Sequence, residues 1–233
     1  MHLFYFPDIS GNLVHLDETE SAHAARVLRL KTGDPVALVD GHGGWFDGTI
    51  DTSHPKKCSI RITAEKRETS NPDRWLHIAV APTKNSDRIE WFLEKATEIG
   101  ISIFTPLLCR FSERKNINAG RLEKIAVAAM KQSLKAWLPQ LHPLTPFQEF
   151  VKLPFPGKKL IAHCYEGAKP HLKELVSPGE PILVLIGPEG DFSPEEVQLA
   201  TENGFLGISL GNSRLRTETA ALVACMTVAL ANG

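Results

Sequence analysis

Hydrophobic and polar residues alternate differently in the first third of the chain and in the remainder. Up to about residue 70, short apolar runs are separated by turn sequences, a pattern typical of β-strands. The predicted strands are Leu3–Phe6, Pro35–Val39, Gly44–Ile50 and Cys58–Ala64. Apolar residues at helical spacing predict one helix, Asp17–Leu30, capped by Thr19 or Ser21. We therefore expect residues 1–70 to form a small β-barrel domain, with a polar linker over Glu65–Arg74.

From Trp75 onward, strands alternate with helices. The run Trp75–Ala81 is almost entirely apolar, as expected for a strand buried on both faces of a sheet. Helical spacing predicts Asp87–Ile99, with Asp87 and Glu90 as a capping box and Gly100 as the stop. The other predicted elements are strands Ile101–Leu107, Lys159–Cys164, Ile182–Ile186 and Phe205–Leu210, and helices Arg121–Leu138 and Thr217–Ala231. This alternation predicts an α/β domain over residues 75–233 with a mostly parallel sheet.

Two of these strands, Ile182–Ile186 and Phe205–Leu210, each end in a polar loop that contains glycine and opens a helix. Ligands of α/β proteins bind at the carboxyl ends of strands, where glycine lets the backbone approach a small molecule closely. The two loops could therefore form two walls of one cofactor cleft.

The first of these loops is strongly acidic. Ser193 is well placed as an N-cap, followed by Pro194 and Glu196, so a plain strand-to-helix turn would explain these residues equally well. The acidic side chains around the loop are Glu189, Asp191, Glu195 and Glu196. They would repel a nucleoside triphosphate, and neither a P-loop lysine motif nor GxGxxG occurs. A cationic or phosphate-free ligand fits better, and S-adenosylmethionine, which carries a sulfonium, is the cofactor we favour.

The second loop precedes a helix made mostly of small and apolar residues. Gly211 makes the turn and Thr217 is predicted to cap the helix, which we expect to be buried on every side, in the core or at a subunit interface. Glu218 at the mouth of this helix could simply complement the helix dipole. Arg214 and Arg216 are less easily explained by structure alone, and contact with an anionic substrate is the alternative.

The bulk composition excludes several classes of protein. A net charge of −1 over 233 residues argues against strong non-specific nucleic-acid binding. No apolar run approaches the ~18 residues of a membrane span, and Met1–Pro7 is too short for a signal peptide, so we expect a cytoplasmic protein. The four scattered cysteines predict reduced, buried thiols, and no metal site is expected.

One local group of basic residues departs from this neutral average. His23, Arg26 and Arg29 lie on one predicted helix in the first domain, followed by Lys31. Such a group is usually a solvated helix face, and the functional alternative is a patch that contacts nucleic-acid phosphates.

The sequence resembles a known family over nearly its whole length. The runs LIGPEGDFSPEEV and LGNSRLRTETAALVA resemble the C-terminal motifs of the RsmE family of 16S rRNA uridine-N3 methyltransferases, in the SPOUT superfamily. The segment HAARVLRLKTGDPVALVDGHGGWFDGTI is similar to the family's first-domain signature. The segments TKNSDRIEWFLEKATEIGI and KQSLKAWLP are similar to its middle motifs.

This resemblance implies an architecture and a set of site residues. It implies an RNA-binding PUA-like β-barrel, a SPOUT-type parallel sheet with a trefoil knot, a homodimer, and the small ribosomal subunit as partner. Arg216 would stabilise the developing uracil anion or contact a phosphate, and Glu218 would orient groups or act as an acid or base. The implied cofactor contacts are His163, Cys164, Leu185, Gly187, Gly190, Leu210, Gly211, Leu215, Thr217, Thr219 and Ala220. With an RNA-binding first domain, the basic group His23, Arg26 and Arg29 is our prediction for the RNA contacts.

Some positions depart from the family pattern. The family usually has a second glycine where Asp191 stands and an arginine where Ser213 stands, and Lys131 and Lys135 replace residues that are more often Glu and Arg. The alternatives are a SPOUT enzyme that methylates another RNA site or a ribose 2′-hydroxyl, a non-catalytic RNA-binding protein of the same fold, and a nucleotide-dependent metabolic enzyme. Binding of S-adenosylmethionine separates the first of these from the second.

Overall fold

The structure is a computed structural model that describes residues 2–71 and 75–232. The described residues cluster into two compact units, each with its own hydrophobic core. The first unit contains the chain up to Asn71 together with Met130–Leu138, and the second contains the rest.

The first unit is built on a five-stranded sheet. Its strands are β1 (Leu3–Tyr5), β2 (Leu13–His15), β3 (Pro35–Val39), β4 (Gly44–Thr52) and β5 (Ser59–Arg67). They lie in the order β1-β3-β4-β5-β2, with β1 and β3 parallel and the other neighbours antiparallel. All five strands supply one core, which includes Phe4, Val14, Leu38, Ile50 and Ile60. Inward apolar residues from every strand explain the alternating pattern of the sequence.

The predicted strands of this unit are present, with two differences. β5 continues to Arg67 because it pairs with β4 and because the Arg67 guanidinium lies 3.0 Å from the Asp40 carboxylate, so the linker prediction from Glu65 was wrong there. The end of the predicted linker, residues 72–74, lies outside the described residues. β2 was not predicted because its three residues are too short to show a period.

The predicted helix of this unit begins and ends differently. Helix α1 (Glu18–Ala22) is capped by Asp17, whose carboxylate accepts the Glu20 N–H at 2.7 Å, so the prediction of Thr19 or Ser21 as the cap was wrong. The Ser21 hydroxyl instead donates to the Leu16 carbonyl and accepts the Cys58 N–H. The helix continues with wider π-type turns over His23–Val27.

The second unit is an α/β domain around a parallel sheet. Its first elements in chain order are β6 (Leu76–Val80), α2 (Ser86–Ile99), β7 (Ile103–Leu108), α3 (Ala119–Gln132), β8 (Gln140–Leu141), β9 (Thr145–Pro146) and α4 (Phe147–Phe150). They are followed by β10 (Lys158–Ala162), α5 (Leu172–Leu175), β11 (Ile182–Ile186), α6 (Pro194–Glu202), β12 (Leu206–Ile208) and α7 (Thr217–Asn232). The strand order is β12-β10-β11-β6-β7-β8, and the strand pairs are parallel. The predicted α/β class with a parallel sheet is confirmed.

Burial of the two central strands explains their composition. Every residue of β6 and of β11 is buried, as the continuous apolar runs predict for strands covered on both faces. Helix α2 begins one residue earlier than predicted, because the Asn85 side chain caps it by accepting the Asp87 N–H at 3.0 Å. The predicted capping box of Asp87 and Glu90 was therefore wrong.

The segment after α3 corrects a second helix prediction. The helix ends at Gln132, not at Leu138, because Leu134 adopts a left-handed conformation with φ of 54°. Ala136, beyond the helix end, packs in one cluster with Met130 of the last helical turn and Leu3. The Trp137 ring lies against Gly43, where an added Cβ would be only 2.5 Å from it. The apolar residues after Gln132 therefore pack against the first unit's core and do not continue the helix.

Helix α7 is less enclosed than the sequence predicted. Its buried face includes Ala221, Ala224, Cys225 and Val228. On the other side Leu230 is 75% exposed and Met226 44% exposed, so within one chain the helix is not buried on every side. The trefoil knot implied by the family resemblance stays a prediction.

Candidate functional site

The carboxyl ends of three neighbouring strands form the floor of a cleft in the second unit. Ala162 at the end of β10 pairs with Ile186 of β11 on one side and with Ile208 of β12 on the other. Because the strands are parallel, the loops that follow them emerge at the same edge of the sheet. Together the three loops enclose a cleft of about 920 Å³.

Most of the predicted cofactor contacts line this cleft. Those on its walls are His163, Cys164, Gly187, Gly190, Leu210, Gly211, Leu215, Thr217 and Ala220, together with Arg216. Leu185 and Thr219 are not on the walls, and Leu185 is fully buried within β11. The predicted contacts therefore come from all three loops, although sequence motifs mark only the loops after β11 and β12.

The loop after β11 leads into α6 through the predicted capping box. The Ser193 hydroxyl accepts the Glu196 N–H at 3.2 Å, and the Glu196 carboxylate accepts the Ser193 N–H at 2.8 Å, with Pro194 at the first helical position. This prediction is confirmed. Glu196 also accepts the backbone N–H of Arg110 at 2.8 Å, which ties the loop after β7 to the same helix start.

Thr217 connects the loop after β12 to the loop after β11. It was predicted to cap α7, but it is the first residue of the helix and its hydroxyl donates to the Gly187 carbonyl at 3.1 Å. Thr217 does not occupy the N-cap position, because that position precedes the first helical residue. The bond joins two walls of the cleft at a buried point.

Asp191 and Tyr165 connect the loop after β10 to the loop after β11. One Asp191 carboxylate oxygen accepts the Cys164 N–H at 2.8 Å, and the other accepts the Phe192 N–H at 2.8 Å. The Tyr165 hydroxyl donates to the Phe192 carbonyl at 2.7 Å. None of these hydrogen bonds was predicted from the sequence, since such bonds depend on how loops from separate strands meet.

His163 presents a polar atom with no partner at the edge of the cleft. Its Nδ1 is buried and accepts or donates no hydrogen bond among the described residues. Burial, followed by the positive charge of Lys169, lowers the pKa of its imidazole, so the ring is neutral near pH 7. A buried polar atom without a partner is costly, and a ligand that bonds to it would recover that cost.

The thiols do not all match the prediction of buried cysteines. Cys58, Cys109 and Cys225 are buried, but Cys164 is exposed on the cleft wall. Although Cys164 is exposed as a residue, partial desolvation and then the nearby charge of Asp191 raise the pKa of its thiol, so it is protonated near pH 7.

Glu218 is placed differently from Arg216. Arg216 is exposed on the cleft wall, whereas Glu218 is 8% exposed and does not line the cleft. One Glu218 oxygen lies 3.8 Å from Nε of Arg88 on α2, and the other has no hydrogen-bond partner among the described residues. Arg88 was missed in the sequence, where it is one of several polar residues on the exposed side of an amphipathic helix.

The predicted RNA contacts lie in the first unit. His23 and Arg26 belong to the π-helical turn, and both are exposed, as is Arg29 just beyond it. Arg29 has a φ of 55°, a left-handed conformation that ends the helical turn. The three side chains are thus available to a partner.

Residues 2–71 and 75–232 contain neither a candidate membrane span nor a candidate metal site. No helix in these ranges has both the length and the apolar composition to cross a membrane. In the same ranges, no group of three or more His, Cys, Asp or Glu side chains is arranged to hold a metal ion.

Comparison with known proteins identifies the family. Residues 69–229 match the model of the RNA methyltransferase domain, and residues 16–63 match that of the RNA methyltransferase PUA domain. Ribosomal RNA small subunit methyltransferase E from Rickettsia conorii is 30% identical, over 88% of this chain and 84% of that protein. The chain belongs to the ribosomal RNA small subunit methyltransferase E family. The resemblance drawn from the motifs, and the PUA-like interpretation of the first domain, are confirmed.

Solved structures of this methyltransferase family extend the comparison. A structure described as a probable rRNA-methyltransferase from Porphyromonas gingivalis matches with a TM-score of 0.92 and 43% identity, covering 100% of this chain and 98% of that one. Ribosomal RNA small subunit methyltransferase E from Neisseria gonorrhoeae, solved bound to S-adenosyl methionine, matches with a TM-score of 0.82 and 28% identity, over 97% of this chain and 95% of that one.

Proposed function

We propose that this protein transfers a methyl group from S-adenosylmethionine to N3 of a specific uridine in 16S rRNA of the small ribosomal subunit. The observation that carries the proposal is the cleft at the ends of β10, β11 and β12, whose walls hold most of the residues of the family's C-terminal motifs. Membership of the small subunit methyltransferase E family supports the RNA substrate. We further propose that the protein acts in the cytoplasm, where ribosomal subunits are made.

The residues of the cleft fit the cofactor. The acidic pair Glu189 and Asp191 suits a cationic sulfonium better than a phosphate. The unpartnered Nδ1 of His163 supplies a polar contact, and the glycines at Gly187 and Gly211 leave backbone accessible. We assign the eleven predicted contacts to cofactor binding, with Leu185 and Thr219 acting from behind the wall. S-adenosylmethionine supplies the electrophilic methyl group when it is bound.

Arg216 is the residue we assign to the reacting base. The N3 proton of uracil must leave before or during transfer, and the negative charge that develops on the base is stabilised by a nearby fixed cation. Arg216 is exposed on the cleft wall and is available to the base or to an adjacent phosphate.

Glu218 is assigned an orienting role. Its carboxylate is buried beside Arg88 and does not line the cleft of this chain, which favours holding an arginine over direct proton transfer. Removing its charge should therefore reduce the rate less than removing Arg216.

Methyl transfer in vitro tests the proposal. Methyl-labelled S-adenosylmethionine is incubated with the protein and with small ribosomal subunits that lack the modification, and the nucleosides are identified after digestion. We expect labelled 3-methyluridine, with about a 100-fold loss in Arg216→Ala and a smaller loss in Glu218→Gln. Arg214→Ala, which removes the neighbouring arginine, should lose less than Arg216→Ala. Full activity in a normally folded Arg216→Ala variant would contradict the role given to Arg216.

His23, Arg26 and Arg29 are proposed to bind rRNA phosphates from the PUA-like domain. All three are exposed, which leaves them free for a partner. Replacing Arg26 and Arg29 with alanine should weaken RNA binding and reduce the slope of log K against log salt by roughly 1–2. An unchanged slope of log K against log salt would show that these residues do not contact RNA phosphates.

The homodimer is also part of the proposal. Met226 and Leu230 expose apolar surface on one side of α7, whose other side is buried in the core. A second copy that covers this side would enclose the helix as its composition predicts.

A further inference from the structure

Asp191 occupies a backbone conformation that a side chain rarely adopts. Its φ is 65°, in the left-handed region where glycine carries no steric penalty and where Asp is among the better tolerated side chains. A side chain in this conformation is strained unless contacts of its own offset the strain.

The Asp191 side chain is fully engaged between two walls of the cleft. It accepts the Cys164 N–H from the loop after β10 and the N–H of its own neighbour Phe192 from the loop after β11. The Tyr165 hydroxyl makes a second link to the Phe192 carbonyl. The ammonium of Lys169 donates to the Tyr165 carbonyl and so closes the loop after β10 on itself.

Asp191 is also one of the residues that line the cleft. Its carboxylate is close enough to raise the pKa of the Cys164 thiol, after the larger effect of burial. The cleft also contains the cations Lys169, Arg214 and Arg216 and the carboxylate of Glu189. Asp191 is the carboxylate held in place by two backbone N–H groups, which fixes where its negative charge stands.

We propose that Asp191 is a positioning residue of the cofactor cleft that joins two of its loops and whose fixed charge favours the cationic cofactor over the neutral product. This inference rests on the proposed function, because S-adenosylmethionine carries a sulfonium and S-adenosylhomocysteine does not. The backbone link should affect both ligands equally, since both share the parts that the loops enclose. The charge should affect only the difference between them.

Two substitutions separate the link from the charge. Asp191→Asn keeps a carbonyl oxygen that accepts the Cys164 N–H and so joins the two loops, and asparagine tolerates the left-handed conformation. It loses the charge, together with the acceptor for the Phe192 N–H within the same loop. Asp191→Gly suits the backbone and removes both the link and the charge. Glu195→Gln is the matched control, because it removes one carboxylate of the same segment that is paired with Arg110 and does not line the cleft.

Calorimetry with S-adenosylmethionine and S-adenosylhomocysteine gives the first readout. In Asp191→Gly, the dissociation constant of S-adenosylhomocysteine should rise by about tenfold because the link is lost, and that of S-adenosylmethionine should rise severalfold more because the charge is lost as well. In Asp191→Asn, binding of S-adenosylhomocysteine should stay within about twofold of the unmodified protein, while the preference for S-adenosylmethionine falls severalfold. Glu195→Gln should match the unmodified protein. Unchanged affinity in Asp191→Gly would overturn the link, and an unchanged preference in Asp191→Asn would overturn the role of the charge.

Alkylation of Cys164 by iodoacetamide in the absence of cofactor gives a readout that does not need the proposed function. Among the cysteines, Cys164 is exposed and the others are buried, so the modified peptide is identified by mass spectrometry. Both variants should shift the pH midpoint of alkylation downward, and only Asp191→Gly should also raise the limiting rate at high pH. If the unmodified protein bound neither ligand, the proposed function would fail, and an unchanged alkylation profile in Asp191→Gly would separately refute the link.

Discussion

His77 lies within the parallel sheet as a polar side chain among apolar ones. Its Nε2 is 2.8 Å from the Thr105 hydroxyl, which is in turn 2.9 Å from Nδ1 of His142. The His77 ring also packs edge-on against Phe150. Burial, and then the proximity of His142, lowers the pKa of His77 to about 3, and burial lowers the pKa of His142 as well. Both imidazoles are therefore neutral in the folded protein near pH 7.

These histidines predict a loss of stability in mild acid. The unfolded chain binds a proton at His77 near pH 6.5, whereas the folded chain resists it down to about pH 3. The free energy of unfolding should therefore be undiminished above pH 6.5 and fall as the pH drops from 6.5 toward 3, by about 1.4 kcal/mol per pH unit from His77. Urea unfolding at several pH values measures this.

His77→Gln is the control for that measurement. It removes one titrating group from the network and leaves Thr105 and His142 in place. The difference in unfolding free energy between the two proteins should narrow steadily as the pH falls below 6.5. A difference that stays constant from pH 7 to pH 4 would show that His77 protonates normally in the folded state.

At single residues, the sequence predicted local hydrogen bonds, such as a helix cap, better than hydrogen bonds between residues far apart in the chain. Ser193 and Glu196 were predicted correctly because a capping box lies within four consecutive residues. Thr217 and Asp191 were not, because their partners Gly187 and Cys164 are 30 and 27 positions away along the chain. Hydrogen bonds across that separation are set by strand order, which side-chain spacing does not encode.

Helix α6 provides a test at the scale of an element. Removing the cap with Ser193→Ala leaves the Glu196 N–H without its side-chain acceptor, at a cost of about 1 kcal/mol of unfolding free energy. Because the same turn supports the cleft wall, affinity for S-adenosylmethionine should fall as well. Chemical denaturation and calorimetry measure the two effects.

The control for that substitution is Ser70→Ala, which changes an exposed serine in the first unit. It should alter neither stability nor cofactor affinity by a measurable amount. Stability of Ser193→Ala equal to that of Ser70→Ala would mean that the cap contributes nothing to the folded state.

Elements with a long, regular pattern were predicted well, and short or interrupted ones were not. The five residues of β11 were predicted to the residue, since an all-apolar strand with clear ends has few alternatives. The helix predicted over Arg121–Leu138 was six residues too long at its end, because the apolar spacing continues past Gln132 while Leu134 turns the backbone left-handed. The apolar residues after Gln132 pack into a core cluster that includes Leu3: Ala136 belongs to it, and Trp137 and Leu138 pack against it.

For the whole molecule, the exposed side of α7 predicts association of two copies. Leu230→Lys places a charge on the most exposed apolar side chain of that helix and should convert a dimer to a monomer. Leu153→Lys, at a position 52% exposed elsewhere in the second unit, should remain a dimer. Light scattering coupled to gel filtration gives the masses. A monomeric unmodified protein, or a dimeric Leu230→Lys variant, would contradict an α7 interface.

For the whole molecule, the sequence predicted the fold class but not the order of the strands in the sheet. Alternating strands and helices after Trp75 were enough for a parallel sheet, because parallel strands need helical crossovers. The order of its strands did not follow from that pattern, since the β12-β10-β11-β6 arrangement depends on contacts between elements far apart in the chain. Motifs shared with a family supplied the function that periodicity could not.

The most direct test of the central claim is mass spectrometry of 16S rRNA from a strain in which the gene for this protein is deleted. The account predicts that 3-methyluridine disappears from one position of 16S rRNA, and that the unmodified gene restores it while an Arg216→Ala gene does not. Persistence of 3-methyluridine at full level in the deletion strain would contradict the account.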